Sequence, residues 1–168
     1  MIKELNRIED SVFKTLQLNL SNIETDLECE EYFGHNFSLN NFKIKFRKAK
    51  ITPTKNGQFV TLWRRNSDGK TEPFNASDDF DFYIIATEKD TQFGFFIFPK
   101  KILGEKQILT DRQKEGKRGF RVYPNWDEPE SKQAEKTKNW QSKYFIDISD
   151  NNEIDFNKFK NIIEGIFN

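Results

Sequence analysis

The sequence predicts an α+β domain: a mostly antiparallel or mixed central sheet of about five strands, with helices packed on it. Three observations predict it. Phe42-Lys43-Ile44-Lys45-Phe46-Arg47-Lys48 alternates apolar and basic residues at the period of a strand. Phe80 to Thr87 and Phe93 to Phe98 are aromatic, nearly continuous apolar runs separated by an acidic turn, the pattern of strands covered on both faces. Apolar stripes of helical period stand near both ends of the chain.

The elements follow in order. Ile8, Val12, Phe13, Leu16 and Leu20 recur at helical spacing, which predicts a helix over Asp10 to Leu20. Residues 21–34 are acidic and carry no clear period. In 42–48, Phe42, Ile44 and Phe46 point one way, and Lys43, Lys45 and Arg47 form a basic outer face. Pro53 to Gly57 is a turn with Asn56-Gly57 at its corner. Phe59 to Trp63 is apolar on both faces and reads as a more central strand, forming a hairpin with 42–48 and placing Trp63 in the core. Pro99 suits the first position of a short helix through Leu103. Gly119 to Tyr123 is a short strand, and Pro129 leads into a helix over Glu130 to Phe145. A last helix carries Phe156, Phe159, Ile163, Ile166 and Phe167 on one face. Strands joined by short turns are expected to pair antiparallel.

At 168 residues, the chain is expected to be a single domain over residues 1–168. Eighteen phenylalanines exclude a disordered tail. No apolar run approaches the ~20 residues of a membrane helix, and the N-terminus has no signal-peptide core. Cys29 is the single cysteine, so no intrachain disulfide or Cys-rich metal site can form. These features predict a reduced, cytoplasmic protein with no membrane partner.

Net charge is zero, but its distribution is uneven. Residues 1–32 carry −5, residues 41–70 carry +8, residues 71–92 carry −5, residues 99–122 carry +5, and residues 131–144 carry +3. Three basic blocks that converge in space would make a surface for a polyanion; dispersed, they would be ordinary solvated faces.

Three segments are more specific than a fold requires. They are Phe46 to Arg65 with its Lys-Ile-Thr-Pro-Thr-Lys string, Phe93-Gly94-Phe95-Phe96-Ile97-Phe98-Pro99-Lys100-Lys101, and Gly116 to Asp127 with its Arg-Val-Tyr-Pro-Asn-Trp-Asp string, continuing to Trp140. In this order and spacing the set resembles the MepB family over roughly residues 27–146. The resemblance implies a small bacterial cytoplasmic protein and carries no defined chemistry, so function is read from the residues.

Arg47, Lys50, Lys55, Arg64 and Arg65 lie on or around one expected hairpin, stiffened by Pro53. Lys100 opens a helix. Lys117, Arg118 and Arg121 surround Gly119, with Tyr123 and Trp126 following. Cations interleaved with aromatics suit phosphates and stacked bases. Lys132, Lys136 and Lys143 fall close to one helical stripe beside Trp140. Each has a plainer explanation. Arg64 and Arg65 can pair with the acidic 71–92 block, Trp126 can plug a loop, and Trp140 with Tyr144 can dock a helix. Lys50, Lys100, Arg118 and Arg121 stand out as the functional candidates.

The leading expectation is a nucleic-acid-binding protein without clear catalytic residues, its partner double-stranded DNA held mainly by the phosphate backbone, with no cofactor. One alternative is a divalent-metal-dependent nuclease, using magnesium, on a degenerate core of the PD-(D/E)XK type. Asp81 opens one strand and Lys100 closes the next, but Phe98 stands where the acid belongs; Glu31, with Glu28 and Glu30, is the nearest substitute in sequence. A second alternative is a small-anion or nucleotide pocket. A histidine-based site would rest on His35 alone, Cys29 sits among carboxylates that disfavour a thiolate nucleophile, and no Gly-rich phosphate loop is present.

Overall fold

The computed structural model describes residues 1–166. In chain order, α1 (Lys3–Ile8) runs into a π-helical turn over Glu9–Phe13. Next come β1 (Leu20–Thr25), a 3₁₀ segment over Leu27–Tyr32, β2 (His35–Leu39), β3 (Phe42–Lys48), β4 (Lys50–Ile51), β5 (Gln58–Thr61), β6 (Trp63–Arg65) and β7 (Thr71–Pro73). The chain continues with β8 (Phe82–Lys89), β9 (Gln92–Pro99), α2 (Lys100–Glu105), β10 (Gly119–Val122), α3 (Lys132–Ser142), β11 (Phe145–Asp147) and α4 (Phe156–Glu164). Phe167, expected on the last helix, lies outside the described residues.

The mixed α+β architecture is as predicted. The central sheet has six strands in the order β1-β2-β3-β8-β9-β11. β3 and β8 are parallel, and the other neighbours are antiparallel. A parallel pair needs a long crossover; residues 49–81 supply it and fold on the way into β4 to β7.

The expected hairpin of 42–48 with 59–63 does not form. β3 is taken by β2 and β8, while β5 sits at the centre of a separate sheet ordered β10-β5-β4. The physical reason is burial. Every residue from Phe82 to Thr87 is buried, so β8 claims the central position beside β3. The strand expected through Trp63 breaks at Leu62, whose N–H donates to the Arg118 carbonyl. Trp63 then opens β6 only half-buried, outside the core.

Other boundaries move for local reasons. The N-terminal helix starts at Lys3 and the helical path ends soon after Phe13, because Gln17 adopts a positive φ of 57° and the Leu18 N–H donates to the Phe13 carbonyl at 2.8 Å. Leu20, counted in that helix, therefore opens β1. Pro99 precedes α2 rather than starting it. α3 begins after Ser131, whose hydroxyl accepts the Ala134 N–H at 3.1 Å. It stops at Ser142, so Phe145 enters edge strand β11.

The core has two layers, one on each face of the central sheet. On one face Phe13 meets Phe37 and Phe159, tying the π-helical turn and α4 to the strands. On the other, Tyr83 and Phe98 pack beneath Phe120 and Trp140, with Phe96 beside its strand neighbour Phe145. The small sheet and α3 are thus seated on the second face. Among the described residues, no helix is long and apolar enough to cross a membrane.

Candidate nucleic-acid interface

Register within the small sheet brings two basic segments together. Phe59 pairs with Lys50 on one side and with Arg121 on the other, so these three side chains share one face. The Arg121 guanidinium then binds the β4–β5 loop. Its Nη2 donates to Thr52 Oγ1 at 2.8 Å, and its Nη1 to the carbonyls of Asn56 and Gly57 at 3.4 and 3.5 Å. Gly57, at φ +78°, lies so close to Tyr123 that a Cβ would sit 2.7 Å from its ring. Lys55 is carried on this loop and is exposed.

The third basic segment joins through α3. Gln141 is fully buried and caps the outer edge of β10, accepting from the Tyr123 N–H and donating to the Arg121 carbonyl, both at 2.8 Å. Between β10 and α3 lies a cleft of about 290 Å³. Lys106, Lys117 and Arg121 line it beside Ser131, Thr137 and Trp140. The Lys106 ammonium stands 5.5 Å from the Trp140 ring centroid. Among the described residues no carboxylate lines the cleft. Lys132 and Lys136 are exposed and one turn apart on α3, the helix that forms one wall.

The other sequence candidates are placed elsewhere. Arg47, expected on the basic outer face, is 0% exposed. Its Nη2 meets Asp26 at 2.5 Å and its Nη1 donates to the Phe46 carbonyl, so it is withdrawn from any surface because the 3₁₀ segment covers this end of β3. Lys50 is exposed but lies 3.9 Å from Glu31 and 4.5 Å from the Tyr32 ring centroid. Arg64 is paired with Glu72 at 3.0 Å and Asp78 at 2.7 Å. Arg65 lies over Trp63 and donates to the Gly69 carbonyl. Arg118 turns away from the cleft to Thr71 and Glu115. Tyr123 is buried, and Trp126 rests edge-on against Phe145 with its indole N–H buried and, among the described residues, without a hydrogen-bond acceptor. Tyr123 is thereby withdrawn from stacking, and Trp126 is half-buried.

Asp81 and Lys100 do come together, the Lys100 backbone N–H donating to the Asp81 carbonyl at 3.0 Å. Their side chains are engaged separately. The Asp81 carboxylate accepts the Lys43 N–H at 2.8 Å, and the Lys100 ammonium donates to the Asp78 carbonyl. Neighbouring Asp79 is held below the usual carboxylate range by its hydrogen bond and charge pairing with Lys43. Glu31 belongs to the other end of β3, at Lys50. Asp81, Lys100 and Glu31 therefore do not form one constellation, and no group of three His, Cys, Asp or Glu side chains suited to a metal ion occurs among the described residues.

Sequence reasoning missed Lys106, which lies in the second basic block, and Gln141, whose role depends on a strand edge that composition does not reveal.

A family model described as MepB-like matches residues 26–147. The chain belongs to the MepB-like family. The solved crystal structure of MepB is similar to this MepB-like chain, with 30% sequence identity, a TM-score of 0.78, and coverage of 91% of this chain and 100% of that one. The bacterial homing endonuclease I-Ssp6803I aligns at 13% identity and a TM-score of 0.46, over 82% of this chain and 84% of that one. A search of curated proteins gave no match.

Proposed function

We propose that this MepB-like protein binds nucleic acid, double-stranded DNA foremost, through phosphates seated at the β10–α3 cleft. One observation carries this reading. Lys106, at the end of α2, and Lys117 and Arg121, around β10, line one cleft that no carboxylate among the described residues enters. Of the basic candidates, Arg47, Lys50, Arg64 and Arg118 are paired with carboxylates and lie outside it. Arg121 is preorganised by the Thr52 hydroxyl and loop carbonyls, none of which cancels its charge. Lys132 and Lys136 extend the positive surface along α3. Such contacts read the backbone and carry little base specificity.

The test is fluorescence anisotropy with a labelled DNA duplex across a salt series, with a parallel set containing magnesium. Three phosphate contacts give a log–log salt slope of about −3, at about −0.9 per contact. Lys117→Ala reduces the slope by about one unit and weakens binding to all sequences alike. Intact DNA in the magnesium set is the expected result. Wild-type affinity in Lys117→Ala combined with Arg121→Ala would overturn the assignment, and magnesium-dependent cleavage would replace it with a nuclease reading.

A further inference from the structure

The two most distinctive strings in the sequence meet at a second pocket, which the cleft does not use. The β4–β5 loop, residues 52–57, lines it together with Asp127, the last residue of Arg-Val-Tyr-Pro-Asn-Trp-Asp. Arg121 ties this loop down from beneath, and Asn56 Nδ2 donates to the Glu128 carbonyl at 2.8 Å. The pocket is about 240 Å³ and is lined by Thr52, Thr54, Lys55, Lys89 and Asp127.

Asp127 is the unusual member. It is 6% exposed, yet among the described residues its carboxylate accepts no hydrogen bond. The nearest cation, Lys89 Nζ, is 3.8 Å away, too far for a hydrogen bond. Lys138 approaches from α3 but donates to the Asp127 backbone carbonyl at 2.7 Å. Burial pushes the Asp127 carboxyl up, against the pull of Lys89 and Lys138. Its oxygens keep solvent access at the pocket and can accept hydrogen bonds from a ligand. Asp127 shares the pocket with two lysines and two threonines.

We propose that this pocket binds a nucleoside monophosphate, its phosphate on Lys55 and Lys89 and a pair of adjacent hydrogen-bond donors on the Asp127 carboxylate. Two parts of a nucleotide present such a pair: the N1–H and N2–H edge of guanine, and the cis-diol of ribose. An ionised carboxylate accepts at both oxygens and matches either. The site differs from the phosphate cleft in residues and in ligand size, and it stands or falls independently of duplex binding.

Isothermal titration of the intact protein with GMP, dGMP, AMP, dAMP and inorganic phosphate tests it. GMP and dGMP binding more tightly than AMP and dAMP assigns the guanine edge. GMP and AMP binding more tightly than their deoxy forms assigns the diol. Either result is expected to vanish in Asp127→Asn, which replaces one acceptor by a donor. Lys55→Ala, at an exposed loop position that cannot unfold the domain, weakens all nucleotides by roughly tenfold, the loss of one charge-assisted contact. Four nucleotides that fail to bind, or that bind no better than phosphate, overturn the proposal, as does an unchanged preference in Asp127→Asn. Lys117→Ala, which lowers duplex affinity, leaves nucleotide binding unaltered, so failure here and failure of the DNA reading are separable.

Discussion

The Gln141 side chain is hydrogen-bonded to the Tyr123 backbone as a strand would be. Its Oε1 accepts the Tyr123 N–H, and its Nε2 donates to the carbonyl of Arg121, two residues earlier. A helix thereby finishes a sheet edge that would otherwise bury unpaired backbone groups.

Gln141→Ala is accordingly expected to destabilise the fold by about 2–3 kcal/mol, since it orphans a buried donor and a buried acceptor together. Urea denaturation measures the loss. The same variant loosens the α3 wall of the phosphate cleft, so duplex affinity falls without any cation being removed.

Arg47 and Asp26 form a pair in which the guanidinium is wholly buried. Arg47→Met leaves the Asp26 carboxylate beside apolar surface and is expected to cost about 3–5 kcal/mol. Arg47→Lys does not rescue it, because a single ammonium cannot reproduce the fork that reaches both Asp26 and the Phe46 carbonyl. Chemical denaturation of the two variants, together with Asp26→Asn and the double mutant, gives the coupling.

Gly57→Ala places a side chain where φ is +78° and where a Cβ meets the Tyr123 ring at 2.7 Å and the Val122 carbonyl at 3.0 Å. The left-handed conformation alone costs about 1–2 kcal/mol, and the contact adds to it. A lowered thermal midpoint is expected, with weakened binding at both pockets because the 52–57 loop is displaced. Gly69→Ala, also at positive φ but in open space, isolates the backbone part of the effect.

Glu4 supplies a pH dependence. Burial pushes its carboxyl up, but the hydrogen bond from Lys48 at 2.8 Å, its own backbone N–H, and the charges of Lys48 and Lys3 together hold it below the usual carboxylate range. Its folded pKa lies below its unfolded one. The stabilisation is therefore complete at neutral pH and is lost as pH falls through the folded value. Glu4→Gln is expected to flatten the acid limb of a stability–pH profile below about pH 5. Asp127 has the opposite sign: its raised carboxyl favours folding as pH falls, so Asp127→Asn steepens that limb.

How much was legible depended on how far local pattern carries burial information. β3 appeared at its exact span because its apolar residues alternate against lysines. β8 and β9 appeared because both faces are apolar. α3 and α4 were visible from Pro129 and from the spacing of Phe156, Phe159 and Ile163. β1, β2 and β11 were not. β1 and β11 are edge strands of the central sheet, and β1 is largely exposed and polar, so neither carries the apolar alternation that marks a half-buried strand. In the candidate site, Lys117 and Arg121 were named from their basic, glycine-containing segment, whereas Arg47 read as a surface cation because a single strand cannot reveal that Leu27–Tyr32 folds over its outer face.

By itself the sequence determined the class of fold, the positions of its apolar strands, the uneven placement of charge and the strings that mark the MepB-like family. These are properties of neighbouring residues, set by period and by side-chain chemistry. Tertiary structure decided which strands pair, that β3 meets β8 in parallel, which cations carboxylates compensate, that Lys106, Lys117 and Arg121 share a cleft, and that Asp127 joins the β4–β5 loop in a second pocket. Those outcomes arise from contacts between residues far apart in the chain, where burial of β8 and closure of the β10 edge outweigh local preference.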